Sequence, residues 1–302
     1  MPQSLLFDIK RYSINEGPGI RLTIFFKGCP LGCRWCHNPE SISSTPQKMY
    51  TAAKCIGCRA CIEVCTQQAC RMTADGIVTD LLYCDACGCC AEVCPSRASE
   101  LSGRRYTQAE LMGIIEKEIP FFDQSGGGVT FSGGEPLAHL QPLLGLLQGC
   151  GDRGLHRCID TSGFAPWESL EQVTRQAELF LFDLKLLDAA RHKEWTGVDN
   201  RLILENLQRL AATGADIRIR VPLISGINTD SENIEALGTL VAGLPGGARP
   251  LDLLPYHGIA AHKYAKLNQS YNETGLLAPE EGDIDAIRQQ LQKFGLLVSV
   301  GG

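Results

Sequence analysis

The sequence has no run of basic residues, no long apolar segment and no arrangement suited to acid–base catalysis. Its formal net charge is −6 over 302 residues, which makes nucleic acids and anionic membranes poor partners. No stretch approaches the roughly 18 apolar residues of a membrane span. The start, Met-Pro-Gln-Ser-Leu-Leu-Phe-Asp-Ile-Lys, lacks the apolar core of a secretory signal. No Ser/His/Asp set or carboxylate pair stands out for proton transfer. What the chain has is cysteine: fifteen of them, spaced as metal ligands rather than as a disulfide framework, in a chain of 44% hydrophobic residues, ample for a packed core. A reduced, oxygen-sensitive, cytoplasmic protein is expected, and the length suggests about two domains.

Three thiols occupy one loop, Gly28-Cys29-Pro30-Leu31-Gly32-Cys33-Arg34-Trp35-Cys36-His37-Asn38-Pro39-Glu40, entered from the apolar run Leu22 to Phe26. Cys29, Cys33 and Cys36 at C-x3-C-x2-C can hold three corners of a cubane [4Fe-4S] cluster. No nearby cysteine closes the fourth corner, so one iron stays open to bind a substrate, whereas an electron-carrying cluster normally has four thiolates. A zinc knuckle is the competing reading, but it usually pairs two C-x2-C units or adds spaced histidines. This spacing resembles the radical S-adenosylmethionine (SAM) superfamily and marks Cys29, Cys33 and Cys36 as the catalytic centre.

Residues 51–99 change character. Cys55, Cys58, Cys61 and Cys65 form C-x2-C-x2-C-x3-C, and Cys84, Cys87, Cys90 and Cys94 repeat it. In the bacterial two-cluster ferredoxin pattern the fourth cysteine of each run serves the other cluster. One cluster is therefore expected on Cys55, Cys58, Cys61 and Cys94, and another on Cys84, Cys87, Cys90 and Cys65, which makes three [4Fe-4S] clusters in all. Cys70, Cys89, Cys150 and Cys158 fall outside the register and read as buried free thiols.

The remainder, residues 1–50 and 100–302, alternates strand and helix patterns. Strands are expected at Leu22 to Phe26, Gly128 to Ser132, Arg157 to Asp160, Leu179 to Lys185, Ile217 to Leu223 and Leu251 to Tyr256. Helices are expected near 139–149, 166–177, 200–212, 231–242 and 280–294. Thr107-Gln108-Ala109-Glu110 reads as a capping box opening a helix to about Ile119. Six βα units imply an α/β fold: a partial (β/α)6 TIM-like barrel with the ferredoxin-like segment inserted after the first strand, as a separate lobe. Gly126-Gly127-Gly128, which lacks the lysine and spacing of a phosphate loop, reads as flexible backbone near the barrel mouth.

In parallel barrels reactive groups collect at the carboxyl ends of the strands. Here those ends carry Cys29 to Cys36, Ser132-Gly133-Gly134-Glu135-Pro136, Asp160-Thr161-Ser162-Gly163, Asp183-Leu184-Lys185, Arg218 with Arg220, and His257. One mouth would receive them all. Gly133 and Gly134 leave backbone free to approach a ligand, and Glu135 could accept hydrogen bonds from its ammonium group. Asp183 and Lys185 also read as an ordinary i,i+2 pair on one strand face.

The stretches Gly17-Pro18-Gly19-Ile20-Arg21 (with Glu16 where Asp is usual), S-G-G-E-P-L, D-T-S-G-F, D-L-K, I-R-I-R-V-P-L-I and L-L-P-Y-H followed by His262-Lys263-Tyr264 together resemble the glycyl radical enzyme activating enzymes, the group that includes pyruvate formate-lyase activase. The resemblance spans nearly the whole chain. It implies reductive cleavage of SAM to methionine and a 5′-deoxyadenosyl radical, which takes hydrogen from a glycine of a partner glycyl radical enzyme. Choline, glycerol or diol, arylacetate and sulfonate lyases are the partner classes implied. SAM contacts are implied for Gly133, Gly134, Glu135, Lys185, Arg220 and His257. A monovalent cation (Na or K) is implied at Asp160, Thr161 and Asp183 with the Leu184 carbonyl. A flavodoxin or ferredoxin as reductant and a monomeric state complete the expectation. A radical SAM enzyme acting on a small molecule, or a plain electron carrier, would share part of these motifs.

Overall fold

Apolar residues at alternate positions set the strands, and their order along the chain sets the sheet. The computed structural model describes residues 3–74, 76–271 and 275–301. An antiparallel pair, β1 (Gln3–Ser13) and β2 (Arg21–Phe26), comes first. Short elements follow: β3 (Gln47–Tyr50), α1 (Ala60–Glu63), β4 (Cys70–Thr73), β5 (Gly76–Thr79), α2 (Cys89–Glu92), β6 (Ser99–Ser102), β7 (Arg104–Thr107), α3 (Gln108–Ile115) and α4 (Ile119–Ser125). Regular alternation then begins with β8 (Gly128–Gly133), α5 (Leu140–Gly151), β9 (His156–Thr161), α6 (Trp167–Thr174) and β10 (Leu179–Asp183). It continues through α7 (Ala189–Thr196), α8 (Arg201–Ala212), β11 (Ile217–Leu223), α9 (Ser231–Ala242), β12 (Leu251–Pro255), α10 (Ala261–Lys266), α11 (Glu281–Gln292) and β13 (Val298–Val300).

The main sheet has nine strands in the order β13-β12-β11-β10-β9-β8-β2-β1-β7. Neighbours from β2 through β13 are parallel, whereas β1 is antiparallel to both β2 and β7. All six expected strands form, within two residues of their expected ends. Three further strands were not legible. β1 has only a short apolar patch at Leu5 and Leu6 and is otherwise largely exposed, so no alternation marks it. β13 is three residues long, and β7 reads Arg-Arg-Tyr-Thr. The charged helix α7 also escaped notice, since it buries only His192 and Thr196.

On β11 the alternation is complete. Ile217, Ile219, Val221 and Leu223 are buried while Arg218, Arg220 and Pro222 between them are partly exposed. The apolar face meets the helices. Ile203, Leu207 and Leu210 of α8 and Ile234, Leu237 and Val241 of α9, at helical spacing, share one core with Ile24, Phe131, Ile159, Phe180 and Phe182. The polar face is left for the site. The Thr107 capping box forms, with Thr107 Oγ1 accepting from the Glu110 N–H and the Glu110 carboxylate accepting from the Thr107 N–H. The helix ends at Ile115 rather than about Ile119, because a 3-10 turn intervenes and Pro120 starts α4 afresh.

Two small sheets stand apart from the main one: β3 paired with β6, and β4 paired with β5. Pairing Gln47 with Ser102 makes the chain leave and return at one place. Gly126, Gly127 and Gly128 lie at the amino end of β8, away from the mouth where the sequence suggested them. There the close approach of Gly127 to Ile20 leaves no room, since a Cβ would stand 1.8 Å from the Ile20 carbonyl oxygen. Among the described residues no helix is long and apolar enough to cross a membrane.

Leu207 is fully buried against the sheet. Leu207→Ala should lower stability by about 2–5 kcal/mol through lost transfer energy and a residual cavity, read as a shift in the chemical denaturation midpoint.

Candidate functional site

The cysteine loop is fastened on three sides. Where β2 ends, the Gly28 N–H donates to the Ser41 carbonyl (2.7 Å) and the Cys29 N–H to Ile42 (3.0 Å). From α7, the Thr196 and Trp195 carbonyls accept from the N–H groups of Gly32 (2.7 Å) and Arg34 (3.0 Å), and the Arg34 guanidinium lies 4.8 Å over the Trp195 ring. From α10, Lys263 Nζ donates to Asn38 Oδ1 and Glu40 Oε1, both at 2.7 Å. Trp35 anchors the middle by packing with Leu186, Ile224, Ile227 and Leu276. Burial raises all three thiols: Cys36 is pushed up to about 12, Cys29 is raised further with help from Glu135, and at Cys33 burial outweighs the opposing effect of Lys185. Such thiols ionise once a positive centre sits among them.

Beside the loop opens a cavity of about 550 Å³. Its walls include Cys29, Cys33 and Cys36 together with Ser132, Gly133, Gly134, Asp160, Thr161, Asp183, Lys185, Arg220 and His257. The carboxyl ends of the parallel strands thus converge, while Arg218 turns elsewhere, to Asp252 on β12 (2.9 Å). Lys185 Nζ meets Asp183 Oδ2 at 2.8 Å, so the i,i+2 pair exists and also faces the cavity. Arg220 Nη1 reaches Glu16 (3.1 Å) and Asp160 (3.4 Å), while its Nε is buried without a partner. Ser132 Oγ donates to Asp160 (2.6 Å). Burial, reinforced by Asp183 and Glu16 and opposed by Arg220, pushes the Asp160 carboxyl up to about 7. His257 is stacked on His37, with ring centroids 4.4 Å apart.

Two expectations need correction. Glu135 does not line the cavity. It is fully buried and accepts from Thr161 Oγ1 (2.6 Å), the Ser162 N–H (3.0 Å), Ser162 Oγ (2.6 Å) and the Leu137 N–H (3.2 Å), so it fixes the β9 turn and has no capacity turned toward a ligand. The two glycines do line the cavity, yet a different neighbour excludes their side chains. A Cβ on Gly133 would stand 2.4 Å from the Phe26 backbone nitrogen, and one on Gly134 would stand 2.2 Å from the Gly28 carbonyl oxygen. The end of β8 packs directly on the entry to the cysteine loop.

Glu16 was the functional residue read mainly as part of a turn. The loop before β2 is clamped by fully buried Arg21, whose guanidinium donates to Pro18 O (3.0 Å), Val129 O (2.7 Å) and Thr130 Oγ1 (2.6 Å). Thr130 Oγ1 in turn donates to the Glu16 carbonyl (2.6 Å), which aims the Glu16 carboxylate at Arg220. The available signal was an acid next to Gly-Pro-Gly, 204 residues before its partner.

The other cysteines collect in two places. Cys55, Cys58, Cys61 and Cys94 line one small cavity with Tyr50 and Ile77. Cys65, Cys84, Cys87 and Cys90 line another with Lys48, Cys70 and Cys89. Backbone N–H groups point at the fourth sulfur of each run, Ala69 to Cys65 (3.3 Å) and Ser99 to Cys94 (3.4 Å). Left-handed Arg59 and Gly88 open the short helices α1 and α2 at equivalent positions. Cys150 and Cys158 are fully buried in the main body. Among the described residues no group of three or more Cys, His, Asp or Glu is gathered closely enough for a single metal ion.

The 4Fe-4S single cluster domain family matches residues 15–211. Over 299 residues, 99% of either chain, the sequence is 42% identical to the trans-4-hydroxy-L-proline dehydratase activating enzyme of Clostridioides difficile. The chain belongs to the glycyl radical enzyme activating enzymes. This activating enzyme is also 37% identical over 303 residues to the choline trimethylamine-lyase activating enzyme of Oleidesulfovibrio alaskensis, covering 99% of this chain and 98% of that one. A solved domain of a pyruvate-formate lyase-activating enzyme from Bacteroides vulgatus matches with a TM-score of 0.51 at 38% identity, covering 59% of this chain and all of the domain. Activating enzymes of this family carry a 4Fe-4S cluster and use SAM to place a glycyl radical on a partner enzyme.

The site of this activating enzyme fits those groups. Three half-buried thiols on one wall suit a positive centre, and an unpartnered Arg220 Nε beside carboxylates and an ammonium group offers both signs of charge to a zwitterionic ligand. Gly134→Ala should force the cysteine loop away from β8. The expected result is at least a tenfold loss of 5′-deoxyadenosine formation together with reduced iron content, whereas Gly113→Ala, on α3 with open space at its Cβ, should keep its iron.

Proposed function

We propose that this activating enzyme binds SAM in the 550 Å³ cavity and docks a glycine-bearing loop of its partner at the mouth. The observation that carries this reading is the sharing of one cavity by Cys29, Cys33, Cys36, Asp160, Asp183, Lys185, Arg220 and His257. A 4Fe-4S cluster on the three cysteines supplies, when bound, the electron that splits the sulfonium of SAM into methionine and a 5′-deoxyadenosyl radical. The protein's part is positioning. Lys185 and Arg220 receive the SAM carboxylate, the Gly133 and Gly134 backbone and Asp183 face its ammonium group, and His257 holds the adenosyl side through its stack on His37. Glu135 acts one step back by fixing Thr161 and Ser162.

The parallel run β2, β8, β9, β10, β11, β12 supports the reading of a partial (β/α)6 barrel, and the repeated left-handed positions support a ferredoxin-like insert over residues 51–99. Two further 4Fe-4S clusters, on Cys55, Cys58, Cys61 and Cys94 and on Cys65, Cys84, Cys87 and Cys90, would relay electrons from a flavodoxin or ferredoxin. The enzyme would act as a cytoplasmic monomer. A monovalent cation beside Asp160, Thr161 and Asp183 would offset the burial and the neighbouring negative charge that raise Asp160. Thr161 would contribute its carbonyl oxygen, since its hydroxyl already donates to Glu135.

Incubating the reduced holoenzyme with SAM and glycyl radical enzymes of the implied partner classes in turn should generate a glycyl doublet in the electron paramagnetic resonance spectrum with one of them. A silent spectrum with intact, SAM-cleaving enzyme would remove the assignment. Asp160→Asn should abolish any dependence of SAM cleavage on Na or K and weaken SAM binding about ten- to hundredfold, the loss of a charged hydrogen-bonding group, measured by equilibrium binding.

A further inference from the structure

The two small cavities follow one repeated pattern but are not lined alike. Strand β3 sends alternate residues to the same side, and Lys48 and Tyr50 go to different cavities. Lys48 lines that of Cys65, Cys84, Cys87 and Cys90, and Tyr50 lines that of Cys55, Cys58, Cys61 and Cys94. Lys48 is only 7% exposed, and its Nζ donates to Cys70 Sγ (3.0 Å) and Thr79 Oγ1 (2.7 Å). Cys70 lines that cavity together with Cys90. A buried ammonium group thus stands at the wall of one cavity, bonded to a thiol outside the repeated motif. At the other cavity the matching position carries an uncharged phenol, which accepts from the Ile77 N–H (3.0 Å).

The acidic side chains on the Lys48 side do not cancel this charge. Glu100 pairs with Lys266 of α10 (3.5 Å), and Asp85 accepts from the Cys87 N–H (3.1 Å) at the exposed rim. Net local charge and hydrogen bonds to sulfur set the potential of an iron–sulfur cluster. We propose that Lys48, acting with Cys70, makes the cluster of Cys65, Cys84, Cys87 and Cys90 the more easily reduced of the two, so that an electron entering residues 51–99 comes to rest there. This rests on the reading that both cavities hold clusters. The step is a one-electron reduction by a flavodoxin- or ferredoxin-type donor, with no bond made or broken. The favoured cluster is also the one connected to the site. Glu100 on its wall pairs with Lys266, and Lys263, one turn earlier on α10, holds Asn38 and Glu40 next to Cys36. Lys48 is a positioning residue for charge, and it touches no substrate.

The test is a redox titration of the anaerobic holoenzyme followed by electron paramagnetic resonance, with Lys48→Gln, Lys48→Met and Lys48→Arg. The two uncharged variants should lower the reduction equilibrium constant of one cluster at least tenfold, about 59 mV for a one-electron couple. Lys48→Arg, which keeps the cation, should remain within about threefold of wild type. The shift should persist in a Cys58→Ala background and vanish in a Cys87→Ala background. An unchanged potential, equal shifts of both clusters, or the opposite dependence on background would overturn the proposal. So would loss of the cluster from both uncharged variants, since Lys48 would then be required for folding only. A wild-type protein that carries one cluster in place of three would instead overturn the reading beneath it, a result distinguishable by iron content alone.

Discussion

Backbone contact between the end of β8 and the entry to the cysteine loop holds this site together. The Gly134 N–H donates to the Phe26 carbonyl and the Glu135 N–H donates to Gly28, at 2.8 and 2.9 Å, and neither glycine has room for a methyl group. Two strands adjacent in the sheet but distant in sequence are thereby locked at their carboxyl ends. Everything that faces the three thiols is referenced to that lock. Glu135, the residue that follows, turns inward and organises the next turn through four accepted hydrogen bonds, so the order passes from β2 to β8 to β9 without a charged group entering the cavity.

Charge is the second constraint. Glu16, Asp160, Asp183, Lys185 and Arg220 share a concave wall, and burial, with Asp183 and Glu16 adding to it, holds the Asp160 carboxyl up. Such an arrangement suits a ligand that carries both an ammonium group and a carboxylate. On the apolar face of the same strands, Ile219 and Val221 are buried beneath Arg220.

The cysteine-rich segment follows a different logic, with little regular structure and small apolar clusters built partly from the thiols themselves. Its two halves repeat the left-handed helix entry as well as cysteine spacing, and β3 delivers a different side chain to each. A repeat makes two equivalent cages, and a neighbouring strand makes them unequal.

The sequence alone determined which residues could hold iron, because C-x3-C-x2-C and the two four-cysteine runs are local in the chain. It also determined the six parallel strands, because period-two burial and helix caps such as Thr107 with Glu110 are local signals. Only the tertiary structure decided that Glu135 faces inward, that Glu16 reaches Arg220 across the sheet, and that Gly133 and Gly134 are small because of Phe26 and Gly28. The antiparallel edge strands β1 and β7 likewise became visible only once their partners were in place. In each case the deciding neighbour lies tens of residues or more away, and side-chain direction, packing room and charge pairing depend on the neighbour rather than on the residue itself.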